Sequence, residues 1–161
     1  MVTKQTVVIA ARTRKWCERL NKEIGYFYEA DLEGMCCIAS VELHLRLAEV
    51  GIHSSIIANT EHCFLVVNKM IVDITATQFG QTDEIYITPY LAERTGWWRR
   101  HRRFEDANSF IKWQKKVKWE ESQIANPYLF RGIAKYENVK SKIHYRQKQR
   151  RGGDWFPFTP Y

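Results

Sequence analysis

Apolar residues recur near helical spacing over positions 3–24, where Val8, Ala11, Trp16, Leu20 and Ile24 mark one row and Gly25 ends the run. An aromatic-rich loop follows and closes at Gly34. Positions 35–50 predict a second helix, stopped by Gly51. On a wheel, Glu42, Arg46 and Glu49 form a narrow polar stripe. Cys36, Cys37, Ala39, Leu43, Leu45, Leu47, Ala48 and Val50 make most of the remainder apolar or small, with His44 the exception. A helix apolar around most of its circumference belongs in the middle of a domain.

The pattern then turns to strands, at positions 53–58, 62–67 and 70–75, with a shorter run at 85–88 ahead of Pro89. Asn68-Lys69 supplies a short turn, its Asn tolerating positive φ. A two-residue turn pairs Val67 with Met70, Val66 with Ile71 and Leu65 with Val72. One face of the hairpin then carries Cys63, Leu65, Val67, Met70, Val72 and Ile74; the other carries His62, Phe64, Val66, Ile71, Asp73 and Thr75. The clean apolar face fixes the register, because a slip by one residue would mix the two sets. Helical signals return at 89–95, 105–120 and 128–146, and an extended Gly/Pro tail with Trp155, Phe156 and Phe158 fills 152–161. The expected class is α+β, a buried Cys-bearing helix packed on an antiparallel sheet.

A chain of 161 residues with 45% hydrophobic and 27% charged residues suits a single domain and excludes a disordered or low-complexity chain. We divide it into a core over 3–90, a basic helical part over 91–151 and the tail. No apolar run approaches the roughly 18 residues that span a bilayer. Cys17, Cys36, Cys37 and Cys63 show no CxxC spacing and read as reduced thiols of a cytoplasmic protein.

Charge separates the halves. Residues 1–80 hold 8 Lys+Arg against 9 Asp+Glu, whereas 81–161 hold 17 against 9 and five of the six tryptophans. Trp97 and Trp98 stand beside Arg99, Arg100, Arg102 and Arg103, and a second basic run extends from Lys135 to Arg151. Arginines interleaved with aromatics suit phosphate contact and base stacking, and equally an acidic protein or peptide. The plainer account is two tryptophans covering the edge of the core beneath a solvated arginine rim.

The hairpin register makes His62 and Asp73 diagonal neighbours on one face, roughly 7–8 Å apart between Cα atoms. A carboxylate there reaches an imidazole N–H. Such a pair is either a satisfied structural hydrogen bond or part of a catalytic set. Gly34-Met35-Cys36-Cys37 opens the buried helix, where the positive dipole end favours a thiolate and free backbone N–H groups receive an oxyanion. Cysteine, His and Asp are together the parts of a thiol acyl-transfer site, though cysteine is also a common small core residue. Successive helix residues diverge by about 100°, so only one of Cys36 and Cys37 can face the His62–Asp73 side, and the wheel does not choose between them. Metal is not expected: His62 and Cys63 point to opposite faces, and Cys36-Cys37 lack ligand spacing.

The string DLEGMCCIASVELHLRLAEVGIHSSII, continuing to EHCFLVVNKMIVDITATQFG, resembles the transglutaminase-like branch of the papain-like cysteine protease superfamily. The resemblance covers about residues 30–80. It rests on G-x-C at a helix start (Gly34, Cys36), a His opening a strand (His62), and Asp73 within D-x-T-x-x-Q-F (Thr75, Gln78, Phe79). It implies a papain/transglutaminase-like core in which Cys36 is nucleophile, His62 base and Asp73 orienter, with Gly34, Thr75 and Gln78 in support and no cofactor. The implied activity is peptide or amide hydrolysis, with deamidation or transamidation behind it. Cys37 and Phe64 stand where the family often carries Trp, and no upstream Gln aligns as an oxyanion donor. The rival expectation is a non-catalytic binding protein on the same fold, holding nucleic acid or an acidic partner with its basic half.

Overall fold

The structure, a computed structural model, describes residues 1–24, 32, 34–59, 62–91, 96–99 and 102–120. Chain order gives α1 (Lys4–Ile24), α2 (Cys36–Glu49), β1 (Ser55–Ala58), β2 (Cys63–Val67), β3 (Met70–Asp73), β4 (Tyr86–Pro89), β5 (Arg102–Phe104) and α3 (Ala107–Glu120). Short 3-10 turns lie at Ala76–Phe79 and Gly96–Trp98. The helix expected at 128–146, the basic run from Lys135, and the tail fall outside the described residues.

The five strands form one antiparallel sheet in the order β4-β3-β2-β1-β5. The hairpin register is the expected one, Val67 opposite Met70 and Leu65 opposite Val72. Asn68 and Lys69 both adopt positive φ, 49° and 62°, which matches a two-residue hairpin turn to the twist of its strands.

Parity then sorts the core into two clusters. Cys63, Leu65, Val67, Val72 and Ile74 pack under α1 and α2 together with Cys36, Cys37, Ile38, Leu43 and Leu47. On the other face Ile57, Phe64, Val66 and Ile71 pack with Ala76 and Trp98, against Phe79, Tyr86 and Tyr90. On α2 the polar stripe closes on itself, Arg46 Nε meeting Glu42 Oε1 at 2.8 Å.

Three expectations are corrected. In α1, Val8 is 40% exposed, and the buried row is Thr6, Ala10, Thr13, Cys17 and Leu20. Small side chains carry this face, and Thr13 satisfies its hydroxyl on the Ile9 carbonyl at 2.8 Å. The helix expected at 89–95 does not begin at Pro89, which closes β4, an edge strand where its missing N–H is tolerated, and the Tyr90 N–H donates to the Lys69 carbonyl at 2.9 Å; residues 92–95 lie outside the described residues. The segment 91–151 is also not wholly helical, because β5 within it pairs with β1 to form the opposite edge of the sheet. No described helix is long and apolar enough to cross a membrane.

Candidate active site

β2 and β3 bring His62 and Asp73 into contact at one end of the sheet. His62 immediately precedes β2, and Asn59 clamps its backbone: the Asn59 N–H donates to the His62 carbonyl at 2.9 Å, and the His62 N–H donates to Asn59 Oδ1 at 2.8 Å. The ring is fully buried, with Phe79 edge-on at 4.6 Å between centroids, Phe64 at 5.8 Å and Trp98 at 6.3 Å. Its Nε2 lies 2.7 Å from Asp73 Oδ2.

Asp73 ends β3 and is 2% exposed. Both of its oxygens are occupied. Oδ1 accepts from the Thr75 N–H at 2.8 Å and the Thr75 hydroxyl at 3.0 Å; Oδ2 accepts from His62 and from the Trp98 indole N–H at 2.8 Å. Burial opposes the ionised carboxylate, but the imidazole and these donors outweigh it and hold the Asp73 pKa below the usual range. Burial likewise pushes the His62 imidazole toward neutrality, but Asp73 and the Cys36 thiol reverse this and raise its pKa to about 9.

The segment after Asp73 is pinned in turn. Gln78 Nε2 donates to the Thr75 carbonyl at 2.9 Å. Arg14 of α1, buried, reaches across with Nη1 to the Ile74 carbonyl at 2.8 Å, Thr77 Oγ1 at 3.0 Å and the Glu84 carbonyl at 3.3 Å. Thr75 and Gln78 thus brace the segment that follows Asp73. Arg14 was not foreseen, since nothing local in α1 marks a contact about 60 residues away.

Cys36 is the first residue of α2 and is 2% exposed. Gly34 ahead of it has φ 75°, a left-handed conformation in which a side chain would be strained. Met35 provides no side-chain cap, so among the described residues no side chain occupies the first-turn N–H groups of α2. The neighbouring Cys37 and Cys63 thiols hold the Cys36 pKa well below that of a free thiol; burial opposes this, and His62 adds to it. The remaining ring nitrogen, His62 Nδ1, is buried with no closed hydrogen bond among the described residues.

Cys37 lies beside Cys36 in the same buried group. Its sulfur takes a contact from Cys63 Sγ at 3.3 Å and from Gln114 Nε2 at 3.8 Å. Burial drives both Cys37 and Cys63 well above the ordinary thiol value, and Cys17, away from this group, is also pushed up by burial. Of the four thiols, Cys36 is the one whose surroundings lower its pKa.

Cys63 does lie on the opposite face from His62, but α2 covers that face, so three sulfurs converge within 4.8 Å of one another. Spacing along the chain concealed this. The three could share a soft metal ion, yet no fourth His, Cys, Asp or Glu joins them among the described residues. The 3.3 Å Cys37–Cys63 contact is also closer than the ~3.8 Å separating two sulfurs on a tetrahedral zinc.

The basic segment is divided. Trp98 is 8% exposed and spends its N–H on Asp73, so it belongs to the site and is not a stacking surface. Trp97 is 41% exposed and stacks on Phe79 at 4.3 Å. Arg102 lies over Trp113 at 5.7 Å, and exposed Arg103 pairs with Glu105 at 2.6 Å. Arg99 is partly buried, and Arg100 lies outside the described residues.

No family model, no curated protein and no solved structure matches this chain.

Proposed function

We propose that the chain is a cysteine-dependent acyl-transfer enzyme with a papain/transglutaminase-like core, acting on an amide substrate. The carrying observation is the His62–Asp73 bond, its carboxylate locked by Thr75 and Trp98, beside the one thiol whose surroundings favour its anion. A structural His–Asp pair would need neither that thiol nor a helix start at it whose N-cap residue, Met35, supplies no side-chain cap.

In this reading the Cys36 thiolate attacks the amide carbonyl carbon. The negative charge that develops on the carbonyl oxygen meets the first-turn N–H groups of α2, which cost no reorganisation because they are already fixed. The His62 imidazolium protonates the departing amine, and a thioester to Cys36 remains. His62 then takes a proton from water as it attacks the thioester, which gives hydrolysis; an amine in place of water gives transamidation. Asp73 holds the ring in one tautomer and stabilises its cation throughout. Exposed Arg102 and Arg103 on edge strand β5 suit an acidic substrate or partner.

Iodoacetamide at neutral pH, followed by peptide mapping, tests the reading. Cys36 should react far faster than the other cysteines, and His62→Ala should remove the difference. Equal slow labelling of all four thiols would overturn it, leaving the same fold as a binding module.

A further inference from the structure

Two of the three clustered thiols form no bond to substrate in the acyl-transfer chemistry. Cys37 and Cys63 sit 3.3 Å apart, sulfur to sulfur, directly behind Cys36, and all three sulfurs lie within 4.8 Å of one another. Such contacts are within reach of disulfide bonding after a small side-chain rotation. A buried pair of plain core thiols needs no third, reactive thiol beside it. Resting on the reading of Cys36 as the activated thiol, we propose that Cys37 and Cys63 form an oxidation relay, which accepts damage landing on the nucleophile and stores it as a Cys37–Cys63 disulfide.

The steps balance with a hydroperoxide as oxidant. The Cys36 thiolate attacks the peroxide; an S–O bond forms, the O–O bond breaks, and the departing oxygen takes a proton, leaving a sulfenic acid. The Cys63 sulfur attacks the Cys36 sulfur; an S–S bond forms, the S–O bond breaks, and the hydroxyl leaves as water with the Cys63 proton. Cys37 then attacks the Cys63 sulfur and expels Cys36, the leaving group its surroundings favour as an anion. The last step is exchange at constant oxidation state, and the Cys37 proton passes to the released group. Cys36 and Cys37 are neighbours on one helix, with side chains about 100° apart, so Cys63 on β2 is the thiol placed to resolve the sulfenic acid.

The experiment exposes the full chain to one equivalent of hydrogen peroxide and then to iodoacetamide. Peptide fragmentation between residues 36 and 37 assigns each sulfur. The expected product is a Cys37–Cys63 disulfide with Cys36 still alkylated. Cys37→Ser should stop at a Cys36–Cys63 disulfide whose labelling dithiothreitol restores. Cys63→Ser should stop at a Cys36 sulfenic acid, which a second equivalent of peroxide carries to sulfinic acid, with Cys36 labelling lost at least about tenfold faster than in the unaltered chain. Sulfinic acid on Cys36 of the unaltered chain, with Cys37 and Cys63 still reduced, would overturn the relay, and that measurement depends on no variant. Selective alkylation of Cys36 before peroxide is read in the same samples, so failure of the acyl-transfer reading is seen separately.

Discussion

The two faces of the sheet solve different problems with neighbouring residues of the same strands. Beneath α1 and α2, Leu65, Val67, Val72 and Ile74 are buried with no polar partner to satisfy, and volume alone decides what fits. One residue away in sequence, His62 and Asp73 are equally buried but carry charge, and every available donor around the carboxylate is committed. The apolar face tolerates a change by repacking. The polar face does not, because removing one partner leaves a buried charge without its counterpart.

Substitutions can break or sharpen this contrast. The largest effect is expected for Cys36→Ala, which should abolish turnover of an amide substrate by several orders of magnitude while the thermal midpoint does not fall, since the change removes a buried anion. His62→Ala comes next. It strips the thiolate of its cation and Asp73 of its partner, so Cys36 alkylation should fall to the rate of an ordinary thiol, and stability by about 3–5 kcal/mol in urea titration. On the apolar face, Leu65→Ala should cost about 2–5 kcal/mol in the same titration with Cys36 labelling intact. If labelling fell with it, the two faces would not be separable.

Trp98→Phe keeps the ring and removes one donor to Asp73. The expected cost is about 1.5–3 kcal/mol, with labelling of Cys36 only weakened. The smallest effect is on pH dependence, and its sign is fixed. His62 is raised from 6.5 to about 9, so its contribution to stability is complete below 6.5 and is lost as pH rises through about 9. Asp73 is lowered, so its contribution is present above its unfolded value of 3.8 and is lost as pH falls through the folded one. Thermal midpoints measured from pH 6 to pH 10 should therefore decline on the alkaline side, and Asp73→Asn should flatten that decline.

The hairpin was legible because two local signals agree: strict alternation on both strands, and an Asn at the turn position that needs positive φ. That register alone sets His62 beside Asp73. α1 misled because its buried row is made of Thr, Ala and Cys, whereas hydropathy favours Val8, which points outward. β5 was hidden by its length of three residues and its two exposed arginines, typical of a protected sheet edge. Trp98 could not have been found locally, since it meets Asp73 across 25 residues of chain. Cys63 could have been: the parity that united His62 with Asp73 also turned Cys63 toward the face that the Cys-bearing helix was expected to cover.

If the chain works as proposed, the burial of Cys36, His62 and Asp73 has a consequence for where its cycle rests. With the thiolate formed, the interior holds two anions and one cation, a surplus of one negative charge removed from water. Acylation converts the thiolate into a neutral thioester and leaves only the matched His62–Asp73 pair. The covalent intermediate is then the electrically relaxed form of the protein, and the free form is the one under tension. A stable acyl adduct should melt at a higher temperature than the unmodified protein, and thioester hydrolysis, which restores the surplus charge, should be the slow half of the cycle.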